Sequence, residues 1–304
     1  MSSQALLDAG LPWAMLNDGS GHGWQRTGPR SQTIRLSMHV RIGSVSKLFV
    51  GAIAARLAEQ GRINPDNPIS DLLNLPNLPS DVTLIDCLAH RTGLRDALED
   101  PAFRNVVNAD VTAAVPVEDV VSASLSRPRD GSRAGYANIN AILITLAIAK
   151  ETGRAFDDHV MDVFGRTLGL GGGLPRPHPE GWRYGQSPQH VEYGAQLYPA
   201  THFNPSWAGA AGAMHARLCN LPRLLCKAFH ILRSAPEIDP SYHWLAKRSA
   251  DGLWHDGDVP GFSAWAAQRG ARVSVTVAGL SWVPGLGNPA ALLGQNMHFE
   301  EDWP

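Results

Sequence analysis

The stretch RIGSVSKLFV, residues 41–50, places a serine and a lysine one helical turn apart at the start of an apolar run. Ser44 and Lys47 occupy positions i and i+3, so a helix that begins here presents both side chains on one face. A serine hydroxyl is a poor nucleophile until a base removes its proton, and a buried lysine amine can be that base. The pattern therefore predicts a nucleophile and its base. Taken alone, it also fits a helix-capping serine followed by a solvated lysine.

A second motif, YAN at residues 136–138, precedes a strongly apolar segment. Tyr136 can act as an acid or a base if neighbouring cations lower its pKa. The amide of Asn138 can donate a hydrogen bond to a substrate carbonyl. The alternative interpretation is a core tyrosine followed by an asparagine that caps a helix.

A third motif, His255-Asp256-Gly257, is followed by Asp258 and then by an alternating apolar segment. We expect a glycine-containing turn that leads into a strand. The backbone N–H groups of such a turn can face an oxyanion. The alternative is an ordinary surface turn.

The composition argues against two classes of partner. The formal net charge is −2 over 304 residues, so we expect no basic surface for nucleic acid. No apolar run approaches the roughly 18 residues of a membrane span. The N-terminal sequence MSSQALLDAGLPWAML lacks the basic segment and the long apolar core of a signal peptide, so we expect a cytoplasmic protein. The histidine and cysteine spacings resemble no zinc site, and we expect neither a metal nor another cofactor.

The periodicity of apolar residues predicts strands at both ends of the chain and helices between them. A hairpin is expected within residues 13–36, helices over 44–60, 81–89, 138–151 and 220–232, and strands over 262–268 and 273–280. Thr83 is a candidate N-cap for the second of these helices, and Gly153 closes the third.

Strands from the two ends of the chain can join one sheet. We therefore expect an α+β fold, with a mainly antiparallel β-sheet flanked by helices and an inserted all-α domain. Residues 1–64 and 208–304 are assigned to the sheet-containing domain, and residues 65–207 to the helical domain. A cleft between the two domains is the expected place for a site.

The order of the three motifs, SVSK, YAN and HDG, resembles that of the serine β-lactamase and penicillin-binding-protein superfamily. VTLIDCLAHRTGL, residues 82–94, is similar to the Leu-x-x-His-x-Ser-Gly-Leu stretch of that family, with Thr92 where serine is usual. GAAGAMHARLCNLPRLL, residues 209–225, is similar to its Ala-Gly-Gly-Leu segment and the helix that follows. The likeness extends over most of residues 35–280. It is nearest to the class C-like branch, which includes esterases, amidases and D-aminopeptidases.

The resemblance implies a role for each residue. Ser44 would be the nucleophile and Lys47 the base that activates it. Tyr136 would share in proton transfer during deacylation, and Asn138 would orient the carbonyl side of the substrate. The N–H groups of Ser44 and Asp258 would form the oxyanion hole. The implied activity is that of a serine hydrolase that cleaves an ester or amide bond through an acyl-Ser44 intermediate.

His255 begins the third motif where many members carry a lysine that helps to bind a substrate carboxylate. The resemblance associates histidine at this place with esterases and D-amino-acid hydrolases, so we expect a small ester or amide substrate rather than a β-lactam. Two alternatives stay open. An acyltransferase or thioesterase would use the same residues and would transfer the acyl group to a bound amine or alcohol. A catalytically silent protein of the same fold would only bind its ligand.

Asp258, directly after the third motif, would repel a substrate carboxylate and attract an amine if its side chain faces the cleft. We predict that Asp258→Asn relaxes any preference for cationic substrates. The measurement is the ratio of kcat/KM for a cationic and a neutral ester of the same size. An unchanged ratio would show that the Asp258 carboxylate does not contribute to selectivity.

Overall fold

The computed structural model describes residues 14–17, 19, 25–27, 35–170 and 203–279. The strands are β1 Ala14–Asn17, β2 Gln25–Thr27, β3 His39–Arg41, β4 Leu168–Leu170, β5 Met214–Arg217, β6 Tyr242–His243, β7 Ala246–Ser249, β8 Gly252–Val259, β9 Phe262–Arg269 and β10 Arg272–Gly279. The α-helices are α1 Ser46–Glu59, α2 Ile69–Leu72, α3 Leu84–Leu88, α4 Pro101–Ala109, α5 Val117–Leu125, α6 Asn138–Thr152, α7 Phe156–Phe164, α8 Gly209–Gly212 and α9 Leu221–Ser234.

Both ends of the chain contribute to one antiparallel sheet. Within the described residues its strand order is β2-β1-β10-β9-β8-β7-β6, and β3, β5 and β4 form a second, three-stranded sheet. The pairing of β1 with both β2 and β10 confirms the predicted N-terminal hairpin and its union with the C-terminal strands. The helices α2 to α7 lie in the chain between β3 and β4. This arrangement confirms the predicted α+β class. The domain boundaries, at 64/65 and 207/208, stay a prediction.

Helix α1 is buried on nearly its whole circumference, as expected for a helix in the middle of a core. It packs on α9 and lies against the segment between β6 and β7. Gly51 permits this approach, because a Cβ there would overlap the carbonyl oxygen of Trp244.

The ends of two predicted helices are confirmed. Thr83 and Asp86 form a reciprocal capping box at the start of α3. Gly153 ends α6 in the left-handed conformation, with φ of +66°. Asn138 is not the cap of α6, however. The N-cap residue is Ala137, which has no side-chain acceptor, and Asn138 is the first helical residue.

The turn predicted at the third motif was wrong. Residues 255–257 lie inside β8, and the chain reverses at Pro260 and Gly261, between Val259 and Phe262. Gly261 has the positive φ that such a tight connection requires, +83°. The glycine of the motif instead serves the close packing described below.

Among the described residues, no helix is both long and apolar enough to cross a membrane. The expected cytoplasmic location stays a prediction.

We predict that Gly51→Ala lowers the free energy of unfolding by about 1–3 kcal/mol, because the new methyl group forces α1 away from the Trp244 backbone. Gly131→Ala is the matched control, since its Cβ would enter open space at an ordinary φ, and we expect a change within about 0.5 kcal/mol. Urea denaturation of both variants checks the prediction. Equal stabilities would contradict the tight packing of α1.

Candidate active site

Ser44 lies in a 3-10 turn, Gly43–Val45, that leads directly into α1. Strand β8 packs against this turn backbone to backbone. A Cβ on Gly43 would lie 2.8 Å from the amide nitrogen of Asp258, and one on Gly257 would overlap the amide nitrogen of Ser44. Gly43 also has φ of +52°, which side chains rarely adopt. Both glycines are therefore needed for the close approach of β8 to the Ser44 turn. The amide nitrogens of Ser44 and Asp258 lie along this line of contact.

Lys47 is fully buried one residue into α1. Its Nζ lies 3.0 Å from Ser44 Oγ, 2.7 Å from Asn138 Oδ1 and 2.8 Å from the carbonyl oxygen of Ala211. A neutral amine has two N–H groups and one lone pair. The oxygens of Asn138 and Ala211 can only accept, so they take the two N–H groups. The lone pair of neutral Lys47 then faces the hydroxyl of Ser44.

The pKa of Lys47 is lowered to about 7, chiefly because burial disfavours the charged ammonium. In the described part of the chain, three charged groups modify the effect of burial on this pKa. Asp96 and Asp256 favour the ammonium and raise the pKa, whereas Lys247 lowers it further. Lys47 is therefore a group that can hold or release a proton near neutral pH.

Tyr136 is the second side chain that contacts the Ser44 hydroxyl. Its hydroxyl lies 2.7 Å from Ser44 Oγ and 3.1 Å from Asn138 Oδ1, so its single proton can be donated to either oxygen. Although 37% of the residue is exposed, desolvation raises the pKa of Tyr136 and outweighs the opposing hydrogen bond to Ser44. The phenol is therefore protonated at neutral pH and acts as a donor in this arrangement.

Asp96 holds the first turn of α6 in place. Its carboxylate accepts from the backbone N–H groups of Asn138 and Ile139, at 2.5 and 3.1 Å, and from the side-chain Nδ2 of Asn138, at 2.9 Å. The amide orientation of Asn138 is thereby fixed, and its Oδ1 points to Lys47. Burial raises the pKa of Asp96, while its hydrogen bonds and Lys47 oppose that shift. One of the two N–H groups of Asn138 Nδ2 is donated to Asp96. The predicted contact of Asn138 with a substrate carbonyl stays a prediction.

A buried chain of hydrogen bonds supports the ring of Tyr136. The backbone N–H of Leu94 donates to Thr92 Oγ1, at 3.1 Å, and this hydroxyl donates to Asn140 Oδ1, at 2.8 Å. Asn140 therefore presents its Nδ2 to His90 Nδ1, 2.9 Å away. His90 Nδ1 must accept, so the proton lies on Nε2. The His90 ring packs on Tyr136 with a centroid separation of 4.8 Å.

His255 is fully buried, with its ring centroid 6.0 Å from that of Tyr136. Its Nδ1 donates to the Asp256 carbonyl oxygen at 2.6 Å, so Nε2 carries a lone pair. The pKa of His255 lies well below its ordinary value, first because of burial and then because of Lys47 and Lys247. The imidazole is therefore neutral at pH 7 and brings no positive charge to the site.

The structure brings most of the sequence-predicted residues together. Ser44 Oγ and Asn138 Oδ1 each lie within hydrogen-bond distance of both Lys47 Nζ and the Tyr136 hydroxyl. Gly257 lies against the Ser44 turn, whereas the Asp258 side chain is exposed on β8. Its predicted effect on selectivity stays a prediction.

Asp96, His90 and Lys247 are polar residues of this site that the sequence analysis missed. No short-range pattern links any of them to the three motifs. The only available signal was for His90, which lies within the family-like stretch at residues 82–94. In the described part of the chain, no group of three or more His, Cys, Asp or Glu side chains is placed to hold a metal ion.

Residues 8–217 match the family model described as Beta-lactamase, a range that covers more than two thirds of the 304 residues. The chain belongs to the beta-lactamase family. This membership confirms the resemblance seen in the motifs and the prediction of an enzyme of the serine hydrolase type. The third motif lies beyond the matched range, so its place beside Ser44 rests on the packing of β8 described above.

Solved structures with the same fold span nearly the whole chain. A D-stereospecific amidohydrolase from a Streptomyces species aligns with a TM-score of 0.76 at 20% identity, covering 95% of this chain and 96% of its own. A D-amino acid amidase from Ochrobactrum anthropi SV3 aligns with a TM-score of 0.71 at 18% identity, covering 97% and 99%. A penicillin binding protein from Bacillus halodurans aligns with a TM-score of 0.70 at 18% identity, covering 97% and 99%. At these identities the likeness shows the fold.

The lowered pKa of Lys47 predicts a pH dependence of stability. Between about 7 and the ordinary 10.5, the unfolded state carries a proton on this amine that the folded state lacks, so stability rises with pH. Below pH 7 both states are protonated and this contribution is constant. In urea denaturation from pH 7.5 to 9.5, we expect wild-type stability to rise relative to that of Lys47→Met by up to about 1.4 kcal/mol per pH unit.

Ser44→Ala is the control for this measurement, because it removes the neighbouring hydroxyl and keeps the buried amine. We expect Ser44→Ala to retain the wild-type slope. Parallel curves for wild type and Lys47→Met would contradict a lowered pKa at Lys47.

Proposed function

We propose that this protein cleaves an ester or amide bond through an acyl-Ser44 intermediate. The observation that carries the proposal is the geometry of Lys47, whose lone pair faces the Ser44 hydroxyl when the amine is neutral. A pKa of about 7 leaves a large fraction of the amine neutral at physiological pH. Ser44 therefore has a base within 3.0 Å.

In the proposed acylation, Ser44 Oγ attacks the substrate carbonyl carbon and its proton passes to Lys47 Nζ. The carbonyl oxygen becomes an oxyanion, and the amide groups of Ser44 and Asp258 are the proposed donors to it. The bond to the leaving group then breaks, and the leaving alcohol or amine takes the proton. The phenol of Tyr136 is protonated and lies 2.7 Å from Ser44 Oγ. It is therefore a second proton donor beside the reacting oxygen.

The substrate class that we propose is a small amide or ester of an amino acid. Two structures with the same fold are named as a D-stereospecific amidohydrolase and a D-amino acid amidase. A D-amino-acid amide is therefore the first substrate to test, beside its L-enantiomer and the corresponding ester. A cephalosporin tests for β-lactamase activity, which His255 in place of lysine disfavours.

An activated Ser44 can be tested with a fluorophosphonate, which reacts with nucleophilic serines, followed by intact mass measurement and peptide mapping. We expect one adduct, on Ser44 and not on the neighbouring Ser46. Lys47→Met should slow labelling by about 10²–10⁴-fold. Lys150→Met, which alters an exposed lysine near the end of α6, is the matched control and should label at the wild-type rate.

The absence of an adduct in protein shown to be folded by circular dichroism would contradict the proposal and favour the silent binding protein. The acyltransferase alternative requires a separate measurement. An activated ester is hydrolysed in the presence of rising concentrations of an amine acceptor. Release of free acid alone supports a hydrolase, whereas transfer product that grows with the acceptor at the expense of free acid supports the transferase.

A further inference from the structure

A mostly buried ion pair lies beside the proposed site and joins the third motif on β8 to the neighbouring strand β7. Lys247 of β7 donates from Nζ to Asp256 Oδ1 of β8 at 2.5 Å. The side chains are 24% and 28% exposed. The same ammonium lies 4.6 Å from the ring centroid of Trp254 and 5.8 Å from that of Tyr136. Two aromatic faces and one carboxylate therefore fix its position.

Tyr136 thus has two lysine amines against its ring. Lys47 Nζ lies 4.7 Å from the ring centroid, compared with 5.8 Å for Lys247. His255, which stands at the head of the third motif, cannot supply a charge here because its ring is neutral. Lys247 is the cation that faces Tyr136 from the sheet, and it comes from the neighbouring strand rather than from the motif itself.

We propose that Lys247 is a positioning residue for proton transfer at Ser44: held by Asp256 against Tyr136, its ammonium favours the neutral, proton-accepting form of Lys47. This inference rests on the proposed function, because it assigns a consequence to the protonation state of Lys47. It goes beyond that function by adding a residue that none of the three motifs contains.

The physical argument is the balance of charges around Lys47. Among the described residues, the charged groups that face it are Asp96 before α4, Lys247 on β7 and Asp256 on β8. The other titratable neighbours in this part of the chain, all uncharged at pH 7, are His90, Tyr136 and His255. Lys247 repels a proton on Lys47, whereas Asp256 attracts one. Because the pair is mostly buried, solvent and salt screen these interactions less than they screen a surface pair.

Removal of one partner leaves the other unbalanced, so the two single variants must act in opposite directions. Lys247→Gln leaves the negative Asp256 and stabilises protonated Lys47. Asp256→Asn leaves the positive Lys247 and destabilises it. Both substitutions keep a side chain that can hydrogen-bond to the remaining partner. A packing defect would not produce shifts of opposite sign.

The test is the pH dependence of kcat/KM for a small neutral ester, p-nitrophenyl acetate, which excludes direct recognition of substrate charge. We expect the acidic limb to move up by roughly 0.5–1 pH unit in Lys247→Gln and down by a similar amount in Asp256→Asn. The double variant should lie near wild type. An acidic limb at the same pH in wild type and both single variants would overturn the proposal. Shifts of the same sign in both single variants would overturn it as well.

Arg248→Gln is the matched control. Arg248 is the next residue on β7, and its guanidinium pairs with Glu237 at 2.8 Å. Loss of this neighbouring cation should leave the acidic limb unchanged. A shift equal to that of Lys247→Gln would mean that any charge on β7 has the effect, and the specific role of Lys247 would be wrong.

Two further measurements separate this inference from the proposed function. Fluorophosphonate labelling of wild-type Ser44 reports on the function alone, so labelling with unchanged limbs would leave the function standing and reject the role of Lys247. If wild type shows no turnover, the pH range in which stability rises still reports the pKa of Lys47. The lower end of that range should move up in Lys247→Gln and down in Asp256→Asn, and an unmoved range would reject the role.

Discussion

The burial of one lysine amine is the constraint on which the site depends. An ammonium without partners would be strongly unfavourable in the core, so Lys47 must have fixed acceptors and a lowered pKa. Its three hydrogen-bond partners among the described residues come from separate parts of the chain: the turn at Ser44, the start of α6 at Asn138 and the carbonyl of Ala211 in α8. The position of each partner is fixed by the turn or helix in which it lies. The position of this amine thus requires the sheet, the inserted helices and α8 to be assembled around α1.

Features that depend on neighbouring residues were predictable from the sequence. Ser44 and Lys47 are one turn apart on the same helical segment, so their contact follows from helix geometry. The Thr83 capping box and the Gly153 helix end are likewise local, as is the pairing of β9 with β10 across the glycine at 270. The individual strands likewise follow from alternation at both ends of the chain, whereas the pairing of β1 with β10 joins distant segments. These predictions succeeded because residues close in the chain determine the conformation.

Features that depend on distant residues were not predictable in this way. Asp96 caps α6 from 42 residues away, and no periodicity links the two segments. The contact of Lys247 with Tyr136 depends on the pairing of β7 with β8. The turn expected at Gly257 was wrong for the same reason: a glycine next to an aspartate reads locally as a turn, whereas its function is to admit the Ser44 backbone. Sequence alone does not distinguish a glycine needed for its own conformation from one needed for a neighbour's.

The same hydrogen-bond geometry has a consequence for the second half of the proposed reaction. Once Ser44 is acylated, its Oγ no longer donates a proton to Lys47, whereas the Tyr136 hydroxyl can still donate to Asn138 Oδ1, 3.1 Å away. Asn138 and Ala211 still take the two N–H groups of neutral Lys47. The lone pair of Lys47 is then directed toward the acyl group, where an attacking water must lose a proton. Because the raised pKa of Tyr136 opposes a phenolate, this arrangement favours Lys47 over Tyr136 as the base in deacylation as well as in acylation.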